Sequence, residues 1–138
     1  MGGARWIRLW SLLVLAGLLT ACADALSRTA ELTVPIGNFS SVAGTWEGSW
    51  SYTPDRDVDW LRLTIRDDGS FEAESYRVIG TFKSSGMLAL ADGKAVFRGE
   101  RGGSASATLV VRDSARWLDI EALTSRGIRT TAKLERVQ

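Results

Sequence analysis

The 138-residue chain contains no histidine and only one cysteine, Cys22. Without histidine, the commonest general base, metal ligand and neutral-pH switch is missing. A single thiol forms no disulfide within the chain. Serine is common, yet has no imidazole to activate it. No glycine-rich loop joins a strand to a helix, so the sequence offers no phosphate cradle. Basic and acidic residues number 17 and 16. The positive excess that binding to nucleic acid requires is therefore absent, and so is a polybasic patch for anionic lipid. The one long apolar run, Leu9 to Leu19, would span about 16 Å as a helix, against a hydrocarbon core of roughly 30 Å. These absences argue against an enzyme, a resident metal or cofactor, a nucleic-acid partner and a membrane-spanning helix.

What stands at the N-terminus has the order of an export signal. Arg5 and Arg8 form a basic head, and the apolar run that follows is broken only by Ser11 and Gly17. Such a segment is set aside before fold reasoning. There is no twin-arginine pair, which points to the general secretory route. The run ends in Leu19-Thr20-Ala21-Cys22. This tetrad resembles the lipobox of bacterial lipoproteins, and its position after a basic head and apolar core matches that family. The resemblance implies cleavage before Cys22, a diacylglyceryl group on its sulfur, and acylation of the new amino group by a chain such as palmitate. One acyl chain binds a membrane marginally, while two or more hold it stably. Ala23 follows the cysteine, with Asp24 one place later. By similarity to the sorting pattern of Gram-negative lipoproteins, this implies the periplasmic leaflet of the outer membrane. Losing residues 1–21 removes two arginines and no acidic residue, which takes the net charge to about −1 at neutral pH.

The sequence thus divides into a signal peptide (1–21), a lipidated cysteine with its tether (22–41) and a domain (42–138). The tether contains Pro35 and Gly37 and shows no sustained period, although Leu32, Val34, Ile36 and Phe39 could dock part of it on the domain. From residue 43 onward apolar side chains recur at every second position. Trp46, Gly48 and Trp50 share one phase; Leu61, Leu63 and Ile65 another; Phe71, Ala73 and Ser75 a third. The same rule holds for Ala107 to Val111, Leu118 to Ala122 and Ile128 to Leu134. Period-two alternation places one face of a strand inward and the charged face outward. Asp67-Asp68-Gly69, Ala91-Asp92-Gly93, Gly102-Gly103, Asp113-Ser114 and Arg126-Gly127 supply the turns. A further reversal is expected near Lys83-Ser84-Ser85-Gly86.

The pattern predicts about eight strands, near 44–51, 60–66, 71–78, 80–83 with 87–91, 94–100, 105–112, 117–124 and 128–137. An all-β antiparallel up-and-down meander of this kind buries its apolar face as a small barrel or as a sandwich. The barrel is preferred because it leaves no open sheet edge. The outward positions carry Arg, Glu, Asp and Lys, which argues against a lipid-facing wall. Gly44-Thr45-Trp46, opening the first strand, is similar to the Gly-x-Trp of lipocalins and avidin-like barrels. The resemblance implies a lipocalin-like barrel in which Trp46 closes one end, and it carries over no ligand residues.

Few constellations point to chemistry. Glu72 and Glu74 share one strand face whose phase is exposed, and read as solvated carboxylates. Asp55, Asp57 and Asp59 have the alternate spacing that opens an EF-hand calcium loop. The sixth position is Trp60 instead of glycine, and the twelfth is Arg66 instead of glutamate, so the loop is not an EF-hand. With the phase of Leu61 extended backward, these aspartates face inward near one mouth of the barrel, where they would repel anionic ligands or select cationic ones. Trp60 and Trp117 sit at strand entrances, out of phase with the apolar set, as mouth-lining or surface aromatics. The sequence therefore supports a non-enzymatic envelope lipoprotein that acts as a binding or scaffold module through its surface, with an envelope protein as partner. The alternative is a carrier or sensor of a small hydrophobic ligand. A filled interior favours the former, and an open one of roughly a few hundred cubic ångströms the latter.

Overall fold

The alternating segments pair into nine antiparallel strands: β1 (Leu32–Val34), β2 (Gly44–Tyr52), β3 (Val58–Ile65), β4 (Ser70–Arg77), β5 (Gly80–Ala91), β6 (Lys94–Gly99), β7 (Ser104–Arg112), β8 (Ala115–Leu123) and β9 (Arg129–Arg136). They come from a computed structural model that describes residues 30–52, 58–77 and 80–137. Each of β2 to β8 pairs with its successor, and β9 returns to β2 with Trp46 opposite Arg136 and Tyr52 opposite Thr130. The eight strands thus close into an up-and-down barrel rather than a sandwich. β1 pairs with Leu109–Val111 of β7, just past the stretch of β7 that pairs with β6. It prolongs the row that β6 leaves.

Two hairpins show how the local sequence sets the reversals. Asp92 and Gly93 have φ of 52° and 72° between the paired Ala91 and Lys94, and Asp113 and Ser114 have 48° and 71° between Arg112 and Ala115. Positive φ at both central residues matches the twist of the flanking strands. The reversal expected near residues 83–86 is absent, because Gly80–Ala91 is one strand. Its first part pairs with β4 through Met87 and its last part with β6 from Gly86 onward. Gly86 is the corner between these pairings, and a Cβ there would run into the Arg98 carbonyl and the Phe71 ring. The Lys-Ser-Ser-Gly run is therefore a bend within a strand.

One end of the barrel is closed by the segment that precedes β2. Ile36 is buried and its N–H donates to the Gly93 carbonyl. Phe39 opens a 3₁₀ turn, Phe39–Ser41, capped by the Asn38 side chain, and its ring lies under Gly69. Trp46 is completely buried beneath this turn, and its indole N–H donates to the Val42 carbonyl at 2.8 Å. The Arg136 guanidinium lies 5.8 Å from the Trp46 ring and donates to the Ala43 carbonyl at 2.8 Å. The compact unit accordingly begins at Glu31, not at residue 42: β1, Ile36 and Phe39 belong to the domain. Leu63, Ile65, Leu88, Leu109, Leu118 and Leu134 fill the closed half, and Phe71 and Phe97 meet edge to face at 5.1 Å.

Candidate functional site

The inward positions change character along the barrel. Near the closed end they are Trp, Leu, Ile and Phe; toward the other end they are Ala73 and Ser75 on β4, Ala105 on β7, Ala122 on β8, and Thr130 and Ala132 on β9. Small side chains on facing strands leave the wall unfilled, and a cavity of about 350 Å³ results. Its floor is Leu63, Phe71, Phe97 and Ile120, and its mouth lies between Ser84, the Gly102-Gly103 turn and Thr124-Ser125. The volume lies in the range of small-molecule sites, roughly 300–1,000 Å³. Ala107, whose small side chain is also inward, is fully buried and belongs to the packed half instead.

Two polar features mark this apolar chamber. Ser75 and Thr130 are the buried polar residues among those described, and both line the cavity. Trp50, one inward step beyond Gly48 on β2, lines it as well, and its indole Nε1–H is buried with no acceptor within reach. An orphaned buried donor is costly, so nearly all such groups in folded proteins find a partner.

Beside the chamber, the inward faces of β3 and β4 carry an ion pair. Asp59 accepts from Nε of Arg77 at 2.6 Å, with both side chains about four-fifths buried. The Arg77 guanidinium also lies 4.5 Å from the Tyr52 ring, 5.2 Å from Trp50 and 5.6 Å from Phe82. Cations bind aromatic faces at such distances, more strongly where water is excluded. Asp59 thus does face inward, as the phase of Leu61 implies, and Arg77 answers its charge. Asp55 and Asp57 lie outside the described residues, as does Cys22. Among the described residues no group of three or more histidines, cysteines, aspartates or glutamates could hold a metal ion.

Neither Trp60 nor Trp117 is among the cavity-lining residues. Trp60 is about half exposed on the outer wall, opposite Ser49 and Tyr76. Trp117 faces outward near the closed end, opposite Val110, with the Lys133 ammonium 5.5 Å from its ring. The outer wall also carries a row of alternating charge, since Glu47, Arg62, Glu74 and Lys83 stand opposite one another across β2 to β5. Lys83 is 2.5 Å from Glu74 Oε1, and the Tyr76 hydroxyl donates to Oε2 at 2.8 Å. The hydrogen bond from Lys83, followed by that from Tyr76, holds the Glu74 carboxyl below its ordinary range. The same contacts push the Lys83 ammonium and the Tyr76 phenol up. Glu72 pairs instead with Arg66 at 2.8 Å. These carboxylates are occupied by salt bridges on a solvated wall, with no geometry for acid–base work.

The inward set of Arg77, Tyr52 and Phe82 was not singled out in the sequence. Continuing the phase of Phe71, Ala73 and Ser75 by one step reaches Arg77, and that of Trp46 and Trp50 reaches Tyr52. Phe82 was obscured by the reversal expected after it. Compared with family models, with curated proteins and with solved structures, the chain matches none.

Proposed function

We propose that this protein is a carrier or sensor of a small, largely apolar ligand, bound in the open half of the barrel, and that lipid on Cys22 holds it at the cell envelope. The observation that carries the ligand reading is the cavity of about 350 Å³ walled by alanines, with Ser75 and Thr130 as its buried hydroxyls. Burial of apolar ligand surface drives such binding at roughly 25 cal/mol per Å², and two hydroxyls suffice to orient a ligand. Among the described residues no nucleophile–base pair accompanies them, and the reading proposed is binding without turnover. The lipid part rests on the Leu19-Thr20-Ala21-Cys22 tetrad, and an outer-membrane address on Ala23 after the cysteine.

Native mass spectrometry of the exported protein, released gently from its host, tests the ligand reading. Extra mass that is lost on denaturation supports it and identifies the ligand; a bare polypeptide that also fails to take up small apolar probes overturns it. Labelling cells with an alkyne analogue of palmitate tests the anchor. Incorporation should be complete in the parent and absent in Cys22→Ser. A second reading, docking of an envelope protein, is favoured by one observation: Trp60 and Tyr76 stand side by side, exposed, on the outer wall. Photo-crosslinking from position 60 in whole cells would capture that partner.

A further inference from the structure

The lining of the cavity is graded from one end to the other. Leu63, Phe71, Phe97 and Ile120 at its floor are apolar, and none is more than 8% exposed. Leu63 stands opposite Trp46, Phe97 opposite Leu88 and Ile120 opposite Ala107, so the floor is continuous with the packed half. Backbone groups there are taken up by the strand ladders, which leaves a polar ligand atom nothing to bond. Hydroxyls begin higher up, with Ser75 opposite Phe82 and Thr130 opposite Tyr52. They gather at the mouth, where Ser84, Ser104 and Ser125 are exposed and Thr124 is half-buried. Two turns meet at that mouth. The Gly102 N–H closes one on the Gly99 carbonyl, and the Gly127 N–H closes the other on the Thr124 carbonyl. A Cβ on Gly102 would lie 3.6 Å from Cβ of Ser125, so the turns pack side by side.

We infer that the ligand is an amphiphile, an apolar body bearing one polar head, and that it enters apolar end first and leaves its head at the mouth. The inference rests on the carrier reading above and adds the ligand's class and its direction. A hydroxyl carried to the floor would be buried without a partner, at the full cost of its desolvation. A hydrocarbon reaching from floor to mouth would instead cover the hydroxyls there and strip them of water. At roughly 30 Å³ per atom, a cavity of about 350 Å³ holds a body of about a dozen carbons. The head is not selected by charge. Among the described residues Lys83 is the charged group that borders the cavity, and its ammonium sits on Glu74 at 2.5 Å.

Two isomers made of the same atoms test the direction. 2,3-Dihydroxynaphthalene carries both hydroxyls at one end, whereas 2,6-dihydroxynaphthalene carries one at each. A second pair tests the head: 2-naphthol and its β-D-glucoside share the body, and only the glucoside is too large for the chamber. Affinities are measured on the exported protein in lipid nanodiscs, with empty nanodiscs correcting for partition into lipid. The 2,3-isomer should bind at least about tenfold tighter than the 2,6-isomer, and the glucoside within about threefold of 2-naphthol. In protein with ¹³C-labelled methyls, the unsubstituted ring of the bound glucoside should show NOEs to Leu63 and Ile120, and its sugar none. A smaller preference between the isomers, a glucoside weakened further than that, or sugar contacts to those methyls overturns the direction and leaves the carrier reading standing. Binding of none of the four, nor of any other apolar molecule of this size, overturns both.

Discussion

Ala73→Leu should stabilise the ligand-free protein and block its cavity, while Ala107→Leu in the same barrel should do the opposite to stability. Both alanines face inward. Ala73 borders the open chamber, whereas Ala107 is fully buried in the packed half. Leucine adds three carbons, each with roughly the 30 Å³ that a water molecule occupies in the liquid, and the chamber offers about 350 Å³. At roughly 0.8 kcal/mol per buried carbon the gain is about 2.4 kcal/mol. Fixing the leucine rotamer costs about 0.5–1 kcal/mol. The net gain is then about 1.4–1.9 kcal/mol, or roughly 6–9 °C in Tm for a domain of this size. At position 107 the same carbons have no room, and overpacking costs about 1–3 kcal/mol. Urea denaturation of both variants, followed by tryptophan fluorescence, measures the difference, and titration with 2-acetylnaphthalene should show binding weakened at least tenfold in Ala73→Leu. Loss of more than about 1 kcal/mol in Ala73→Leu would refute the reasoning, because the space would not be where the strand phases put it.

Three further outcomes follow from the closed end, the turns and the outer wall. Trp46→Ala should cost about 3–5 kcal/mol, measured by the same denaturation, since it empties the closed end, orphans the Val42 carbonyl and strips Arg136 of its ring. Asp113→Asn combined with Ser114→Gly should raise stability by about 1 kcal/mol, because both residues already hold positive φ and Asn-Gly is the preferred pair for this turn. The third concerns pH. Lys83 and Tyr76 favour ionised Glu74, so its contribution is present above the unfolded-state value, near 4.3, and fades as pH falls through the lower folded-state value. Glu74→Gln should therefore flatten the decline of stability with pH on the acid side of about pH 5, and a steeper decline in the variant would contradict the assignment.

Strand phase was legible in the sequence because one face of each strand meets a core and the other meets water. The wall between Gly44 and Arg136 and the inward aim of Trp46, Trp50 and Asp59 follow from that alternation alone. The closed end was not legible to the same degree. Ile36 and Phe39 lie in a segment without period, and their burial depends on crossing the end of a barrel whose existence is a tertiary fact. The bend at Gly86 looked like a reversal because glycine after polar residues marks both, and only the register against Arg98 tells them apart. The cavity depends on which small residues face one another across the barrel. Ala73 and Ala107 are equivalent in phase, yet one borders a void and the other is packed. Pairing of Asp59 with Arg77 depends likewise on the β3–β4 register, which sequence spacing does not supply.

The closure of β2 against β9 has a consequence in time. The first and last strands of the barrel are neighbours, and the Trp46–Arg136 pair joins residues 90 positions apart. A chain that crosses a membrane with its N-terminus leading delivers β2 first and its partner last. Until Arg129–Arg136 emerges, β2 presents one unpaired edge, and the Arg136 side chain that reaches Ala43 is still on the other side. For the exported protein proposed above, barrel completion is thus tied to the end of translocation, and a chain truncated before β9 would remain an open sheet with two adhesive edges.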